Sequence, residues 1–578
     1  MTIDPVTIEI VSSRLREVAS SMEHALYHAG YSPILRESRD GTAGLTDASG
    51  RVLVVGGGLQ FHTLPYEQAV RGVCTRFPRE TMQPGQSFIV NDPYVCGNPH
   101  VPDMVAVTPA FHRGRLVGFG VSIAHKSDVG GLVPGSSGAG SRDIFHDGLR
   151  LPPVLYQSAD GEVSAAVEDI IRTNSRTPDI VIGDLRGQVG ATRLGADRLA
   201  ALCEEYGAAT IEGVMEAVLT LTARRLAREI SALPDGTVSA EGLLDHDGAN
   251  HERTVQIAVE ITKSGDRLRI DFSRCDEQTE GPVNLTQWTT RSVSLLAVLA
   301  AIDPEIPVNS GLLEQVDFVL PDHSVVNPSY PATVNLYFPT AVMVYTCVLS
   351  ALAKLNPARA VAPSGMVTGA VSLGYRKARK VQYELALTGL GGTATHDGSP
   401  ILTPINHFTA GSPIEIVESE YPVLVRRYEM WRDSAGAGTY RGGVGYVREL
   451  QVLEDCALTL RSAGHQNPAW GHAGGTSPAT SHTTINPGST GERRIGPIAT
   501  TSLRAGDVLQ IARSGGAGFG SPRGRDDAAV LVDVLDGYVS LDAAREVYGV
   551  AISADTLEID DTATRRMRSA LNVPTVRA

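Results

Sequence analysis

The chain has 578 residues, of which 42% are hydrophobic and 20% charged, enough for about two to four globular domains with ample core. Fifty basic residues against 64 acidic ones give a net charge of -14, which excludes the cationic field that attracts nucleic acid. The six cysteines are widely spaced without a C-x-x-C motif, and we find neither a signal-peptide pattern nor an apolar run long enough for a bilayer. We therefore expect a cytoplasmic protein that binds no membrane and no nucleic acid.

The N-terminal part is predicted to open with an amphipathic helix. Its apolar residues recur every three or four positions, at Ile8, Val11, Leu15, Val18, Met22 and Leu26. This stripe packs either in the core of the chain or against another subunit. Further along, periodicity predicts strands at about 44–47, 51–55, 104–111 and 116–125, and helices at about 191–206 and 210–231.

Three regions follow from the changes in composition. We predict an N-terminal metal-site domain at 1–235, a middle α+β region at 236–404, and a Gly-rich, strand-rich C-terminal region at 405–578. The middle region contains predicted strands at 255–262 and 268–272 and apolar helices at 289–302 and 338–354. Helices and strands come in mixed order without a sustained βαβ alternation, so the predicted class is α+β.

The segment 87–131 is the most informative about function, because its histidines and aspartates converge on one predicted β-hairpin. A loop of His112, Arg113 and Gly114 would place Gly114 where a left-handed backbone is needed. The large apolar residues then face one another and the small ones share the opposite face. The predicted pairs include Val105 with Val121, Val107 with Phe119, and Asp103 with Ile123.

On this register His125 lies one diagonal step from Asp103, a span that two ligands of a single ion can close, and His100 can swing over the same end. Two interpretations remain open from spacing alone, a divalent metal site and a hydrogen-bonded core histidine. Two imidazoles with carboxylates suit zinc, manganese or iron equally. No cysteine pair is placed to close the site, and Cys96 is interpreted as a packing residue.

Other motifs are absent or are better explained structurally. There is no P-loop and no G-x-S-x-G elbow, and Ser136 and Ser137 lie in a flexible loop without a paired base. The glycines of 515–520 follow a strand but precede Ser-Pro-Arg instead of a helix, so they indicate a structural turn. His396 and Asp397 are predicted to lie in a solvent-exposed turn.

The chain resembles the B-type members of the ATP-dependent hydantoinase/oxoprolinase family, which includes related subunits of caprolactamase and of acetone and acetophenone carboxylases. The matching segments run in order over nearly the whole chain: ESRDGTAGLTDASGRVL, NDPYVCGNPHVPD, AHKSDVGGLVPGS, GLRLPPV, GDLRGQVGA, DFSRCDEQTEGPVN, IPVNSGLL, YRGGVGYVRE, SGGAGFGSP and VLDGYVSLDAAREVYGV.

This resemblance implies a mononuclear metal held by two histidines and one or two aspartates. The matching positions are His100, Asp103 and His125, with Asp40 as the fourth ligand. Asp92 and Asp128 would then orient the imidazoles, and one of them could act as a general base. The resemblance also implies an A-type partner that binds ATP and Mg, in a hetero-oligomer with two or more copies of each chain.

The implied activity is ATP-dependent hydrolysis of a cyclic amide whose carbonyl oxygen has been phosphorylated. Lys126 follows His125 where many oxoprolinase-like members have a second histidine, which weakens the case for 5-oxoproline as the substrate. Lys126 either helps to hold an anionic phosphate or carboxylate as a catalytic group, or lies on the solvated side of the strand end. Two alternatives stay open: a subunit of an acetophenone-type ketone carboxylase that uses bicarbonate, and a non-catalytic metal-binding scaffold for the partner.

Overall fold

The computed structural model describes residues 3–366, 369–402, 405 and 410–570. The prediction of a chain of mixed helices and strands is confirmed, and the strands form several sheets. The helices of these ranges are α1 Pro5–His28, α2 Pro33–Arg36, α3 Thr63–Arg76, α4 Pro93–Cys96, α5 Ala165–Asn174, α6 Pro178–Tyr206, α7 Ala208–Ser231, α8 Gln287–Ile302, α9 Phe338–Leu352, α10 Ile414–Glu420, α11 Asp527–Leu535, α12 Leu541–Ala543 and α13 Asp561–Ala570.

The strands form four sheets within the described ranges. In chain order they are β1 Gly41–Asp47, β2 Val52–Val55, β3 Ser87–Val90, β4 Asp103–His112, β5 Arg115–His125, β6 Val154–Gln157, β7 Gly236–Leu244, β8 Val255–Ser264, β9 Arg267–Asp271, β10 Val316–Val319, β11 Gly369–Tyr375, β12 Lys380–Ala386, β13 Val423–Met430, β14 Tyr446–Val452, β15 Cys456–Arg461, β16 His482–Ile485, β17 Arg493–Ile495, β18 Ile498–Leu503 and β19 Val508–Arg513.

The six-stranded N-terminal sheet has the order β2-β1-β5-β4-β3-β6, so the predicted hairpin β4–β5 lies at its centre. The predicted register of this hairpin is wrong by two residues. Val107 pairs with Val121 and Asp103 pairs directly with His125. The turn contains only Arg113 and Gly114, both with positive φ, and a bulge follows Ala110. Because the slip is an even number of residues, the predicted faces of both strands are retained.

The two faces of this sheet pack against different helices. The large apolar face of β4 and β5 packs in one cluster with Tyr66 and Val70 of α3. The small face receives α6, and a side chain at Gly120 would place its Cβ 2.2 Å from the carbonyl oxygen of Thr192. Small residues on this face therefore allow α6 to approach the sheet closely.

Helix α6 begins at Pro178, well before the predicted start near residue 191. Its first turns contain glycines, which lower helix propensity and hid the element from sequence analysis. Two glycines of this helix have close tertiary neighbours: a Cβ at Gly187 would meet Ala29, and one at Gly195 would meet Met22 of α1. The stripe of α1 is correspondingly buried within this chain, so the core alternative for that helix is confirmed.

The middle region places the sheet β10-β9-β8-β7 against helices α8 and α9 around one large apolar cluster. None of the helices in the described part of the chain is both long enough and apolar enough to cross a membrane. The predicted domain boundary between 404 and 405 falls beside residues 403 and 404, which lie outside the described ranges.

Two further sheets, β12-β11-β15-β18 and β13-β14-β19-β16-β17, enclose an apolar core. The first of them joins β11 and β12 of the predicted middle region to β15 and β18 of the predicted C-terminal region. The glycines of 515–520 pack against other Gly-rich segments of the chain in a bundle. This packing agrees with the interpretation that they are structural and do not bind a dinucleotide. A Cβ at Gly516 would lie 1.9 Å from the Leu390 carbonyl oxygen, and one at Gly442 would lie 1.9 Å from the Gly516 carbonyl oxygen. No side chain fits where these backbones touch.

The prediction of a solvent-exposed turn at His396 and Asp397 is correct only for the histidine. The carboxylate of Asp397 accepts hydrogen bonds of 2.7 Å from both terminal nitrogens of Arg525, a buried guanidinium. Arg525 and Arg441 also share the buried carboxylate of Asp533. Asp397 therefore belongs to an ion-pair network that ties the Gly-rich bundle to α11.

Candidate metal centre

Three predicted ligand residues converge at one end of the central hairpin. Asp103 opens β4 and His125 closes β5 directly opposite, with Asp103 Oδ1 3.0 Å from His125 Nδ1. His100 Nε2 lies 3.2 Å from both of these atoms. All three side chains are buried, and their ligand atoms lie within 4.8 Å of one another.

The loop that delivers His100 is held by its own side chains. Helix α4 ends at Gly97, whose left-handed conformation reverses the chain. The side-chain nitrogen Nδ2 of Asn98 then donates to the backbone carbonyl oxygens of His100 and Asp103, at 2.6 and 2.9 Å. Cys96 is buried in the apolar cluster of the sheet and its thiol donates to Asn98 Oδ1, so this cysteine is a packing residue.

The tautomer of His100 follows from its hydrogen bond to the middle region. His100 Nδ1 lies 2.9 Å from the backbone carbonyl oxygen of Asn335, which can only accept, so Nδ1 carries the proton. The lone pair of Nε2 then points at Asp103 and His125. A carbonyl group that fixes a histidine in this way is the usual support of a metal-binding imidazole.

The neighbouring carboxylate Asp147 holds the segment that carries this carbonyl. It is buried and accepts hydrogen bonds from the Thr333 hydroxyl at 2.7 and 3.0 Å and from the Val334 amide at 3.3 Å. Burial raises the pKa of Asp147 to about 7. Asp147 is thus a positioning residue that acts on His100 through Asn335.

The converging atoms suit a metal ion because they carry too few protons for all of them to hydrogen-bond to one another. His100 Nε2 and Asp103 Oδ1 are acceptors, and at most one shared proton lies between Asp103 and His125. Asp103 Oδ2 and His125 Nε2 are buried without a hydrogen-bond partner among the described residues. Separations of 3.0–3.2 Å between donor atoms match those of ligands about 2 Å from a shared ion. The residues present therefore suit a divalent cation.

Burial and neighbouring charges shift the pKa values of Asp103 and Asp40 in opposite directions. Burial opposes ionisation of Asp103, but His100 and His125 hold the pKa of this carboxyl well below its usual range. Burial, reinforced by the charge of Asp103, raises the pKa of Asp40 to about 6, while His125 and Arg461 oppose that rise. Asp103 is thus ionised at neutral pH and ready to bind a cation.

Asp40 stands beside the three converging residues but not among them. Its backbone carbonyl accepts the His125 amide at 3.1 Å, so the two residues are neighbours across β1 and β5. Its carboxylate is outside the group of atoms that converge within 4.8 Å. The role of Asp40 as a fourth ligand stays a prediction.

His62, which sequence analysis missed, also borders the centre. It precedes α3, is fully buried, and places Nε2 3.8 Å from Asp103 Oδ2. Neither ring nitrogen has a hydrogen-bond partner among the described residues, and burial lowers the pKa of His62 to about 4, which keeps the ring neutral. No spacing motif links His62 to the hairpin, so the sequence alone offers no signal for it.

The expectation that Asp92 and Asp128 orient the imidazoles is wrong, because their hydrogen bonds go elsewhere. Asp128 accepts from the amides of Gly130, Gly135 and Arg176 at 2.9–3.0 Å and from the Arg176 guanidinium at 3.1 Å. Asp92 caps α4 through the Tyr94 amide and lies 3.4 Å from Arg150. Asp128 instead shapes the glycine loop that follows β5.

Lys126 is not on the solvated side of the strand end. Its side chain is fully buried, and its ammonium group donates to Gln188 Oε1 of α6 at 2.8 Å. Burial lowers the pKa of Lys126 to about 8, with Asp184 and Asp103 acting in the opposite direction. The alternating strand geometry thus directs Lys126 into the interface with α6, away from the face that carries His125.

Aromatic side chains from distant parts of the chain enclose the centre. The Tyr337 ring lies 5.0 Å from that of His100, and the Tyr383 ring of β12 lies 4.7 Å from that of His125. The Tyr383 hydroxyl accepts a 2.6 Å hydrogen bond from Arg461 at the end of β15. These residues were also missed, because more than 200 positions separate them from the hairpin and no local pattern connects them.

The family of the chain follows from comparison with known proteins. The sequence profile of the Hydantoinase B/oxoprolinase family matches residues 4–522. The chain therefore belongs to the Hydantoinase B/oxoprolinase family.

Individual relatives agree over nearly the whole chain. A provisionally assigned B-type component of a D-/L-hydantoinase from Pseudomonas sp. (strain NS671) is 30% identical over 98% of both chains. The crystal structure of ATP-dependent caprolactamase from Pseudomonas jessenii superposes with a TM-score of 0.91 at 27% identity, covering 98% of this chain and 100% of that one. The acetophenone carboxylase delta subunit of Aromatoleum aromaticum is 25% identical over 97% of this chain and 90% of its own length.

Proposed function

We propose that this chain is the metal-containing catalytic subunit of an ATP-dependent cyclic-amide hydrolase that acts with an A-type, ATP-binding partner. The observation that carries the proposal is the buried convergence of His100, Asp103 and His125 in a member of this family. The lactam-opening activity named for the caprolactamase of the same fold supports the choice of cyclic amides.

The residues divide the work by their chemistry. His100, with its proton fixed on Nδ1 by Asn335, offers a lone pair, and ionised Asp103 offers a negative charge. A divalent zinc, manganese or iron ion held by these groups would supply Lewis acidity toward a carbonyl or a water molecule. The enclosing rings of Tyr337 and Tyr383 exclude bulk water, which strengthens every charge interaction inside. ATP and Mg would be bound by the partner, which activates the amide carbonyl.

The decisive experiment purifies the chain together with an ATP-binding partner and measures its metal content by elemental analysis. Lactams, hydantoins, 5-oxoproline and ketones are then screened for substrate-dependent ATP consumption. We expect about one metal ion per chain and ring opening to a free carboxylate. A metal-free complex that turns over at full rate would refute the catalytic assignment and favour a scaffold role.

A ketone carboxylase subunit is the second candidate, because similarity to the acetophenone carboxylase delta subunit extends over 97% of the chain. Labelled bicarbonate separates the two reactions. Label in a new carbon–carbon bond identifies the carboxylase, whereas an unlabelled ring-opened product identifies the hydrolase.

A further inference from the structure

One face of the sheet β12-β11-β15-β18 covers the candidate metal centre. The Tyr383 ring of β12 contacts the His125 ring at a tilt of 36°, and the Ser372 hydroxyl of β11 donates to the Pro134 carbonyl in the loop after β5. Arg461 lies on the same face as Tyr383, because the two residues pair with Ala370 and Ser372, which are alternate residues of β11. The sheet therefore contributes a cation to the wall of the site.

The guanidinium of Arg461 is buried, with only 4% of the residue exposed, yet only part of it is satisfied. Nη2 donates to the Tyr383 hydroxyl, while Nε and Nη1 have no acceptor among the described residues. Arginine stays charged in proteins and carries five N–H donors. A buried cation with free donors requires an anionic or strongly polar partner.

The charges around the centre leave room for an anion. The ionisable neighbours of Arg461 are Asp40, Tyr337 and Tyr383, all three of which also lie near Asp103, and burial keeps both phenols protonated at neutral pH. The two carboxylates oppose one guanidinium, so a bound divalent cation leaves a positive excess. Ser137 adds a second buried hydroxyl beside that of Tyr383.

We propose that Arg461, held by the Tyr383 hydroxyl, binds an oxyanion of the substrate next to the metal centre. Nη2 carries a second hydrogen besides the one that it donates to Tyr383, and together with the free N–H of Nε or Nη1 this hydrogen forms the fork that pairs with two oxygens of a phosphate or carboxylate. This inference rests on the proposed function. The oxyanion that binds Arg461 is then either the phosphoryl group on the activated amide carbonyl or a carboxylate attached to the ring of the substrate.

The test measures binding of inorganic phosphate by titration calorimetry to the chain, with metal loaded and with metal removed by a chelator. Arg461→Gln removes the charge, and Arg376→Gln, which changes an exposed arginine in the β11–β12 hairpin, is the matched control. We expect Arg461→Gln to weaken phosphate binding at least tenfold, and the control to bind like wild type. Metal content and circular dichroism should be unchanged in both variants.

Acetate titrated in parallel distinguishes the two sources of the oxyanion. Tighter binding of phosphate supports the phosphoryl group, and equal or tighter binding of acetate supports a carboxylate. Should Arg461→Gln not fold, Arg461→Lys decides the question, because lysine keeps the charge but cannot form the two-pronged contact. We expect at least threefold weaker phosphate binding in that variant.

Three results would overturn the inference: no phosphate binding by wild type, wild-type affinity in the Arg461 variants, or loss of metal together with phosphate in Arg461→Gln. The last result would make Arg461 a structural support of the centre. Failure of the proposed function is distinguishable, because a metal-loaded wild-type chain that opens no amide ring can still bind phosphate through Arg461.

Discussion

Asp103 and His125 face one another directly across β4 and β5, with Asp103 Oδ1 3.0 Å from His125 Nδ1. This pairing makes the candidate centre a property of strand register, because a slip of two residues would separate the ligands by a diagonal step. The bulge after Ala110 and the two-residue turn set that register.

Replacing His125 with alanine should remove the metal and the turnover while leaving the chain folded and assembled with its partner. The imidazole is one of the converging ligands, and its loss leaves Asp103 without a hydrogen-bond partner on β5. We expect a destabilisation of about 1–3 kcal/mol. Elemental analysis and gel filtration of the complex check this. His24→Ala, on the exposed face of α1, should retain metal and activity; retained metal in His125→Ala would contradict the assignment.

Asp147 should make stability depend on pH in a direction opposite to most carboxylates. Its folded pKa is raised to about 7 by burial, above the unfolded value of about 4, so its stabilising contribution is complete below pH 4 and is lost by about pH 7. The side chain in Asp147→Asn cannot ionise, so the stability of this variant does not change with pH through this group. Between pH 5 and pH 8 the free energy of unfolding of wild type should therefore fall by up to about 2.5 kcal/mol relative to that of the variant.

Chemical unfolding of both proteins at pH 5, 6, 7 and 8 measures this difference. Parallel curves for wild type and Asp147→Asn would show that the carboxyl does not titrate in this range. Reduced metal affinity in the variant at constant pH would further support the route from Asp147 through Asn335 to His100.

Gly516→Ala should destabilise the C-terminal region by about 3 kcal/mol or more, because the added methyl would lie 1.9 Å from the Leu390 carbonyl oxygen. Gly190→Ala is the matched control with the opposite sign. It lies on the exposed side of α6 with no atom within 4 Å of the new Cβ, so helix propensity should stabilise it by about 0.5–1 kcal/mol. Melting temperatures that move in the same direction for both variants would refute this account of the Gly-rich bundle.

Asp533→Ala should be among the most damaging substitutions of a charged side chain far from the site. The carboxylate is buried between Arg441 and Arg525, and its removal leaves both guanidinium groups short of a partner. We expect a loss of about 3–5 kcal/mol that persists in high salt, because a buried pair is poorly screened. Asp536→Ala, three residues along at an exposed position, should stay within about 0.5 kcal/mol of wild type in urea unfolding.

Features that depend on residues close together in the chain are predictable from the sequence. The stripe of α1, both strands of the central hairpin and their two faces were predicted, as were His100, Asp103 and His125 as a converging set. The exact pairing was not, because a bulge and a tighter turn shift the register without disturbing the alternation of faces.

The sequence by itself determined the class of elements, the family and the three residues that meet at the hairpin end, because periodicity and motifs are local patterns. Only the tertiary structure decided what surrounds them: His62, the Asn335 carbonyl that fixes the proton of His100, and the side chains of Tyr383 and Arg461 that cover the centre. It also directed Asp92, Asp128 and Lys126 to other partners. Each of these outcomes depends on which distant backbone packs against the hairpin, and a buried polar group takes the partner that this packing brings within hydrogen-bond distance.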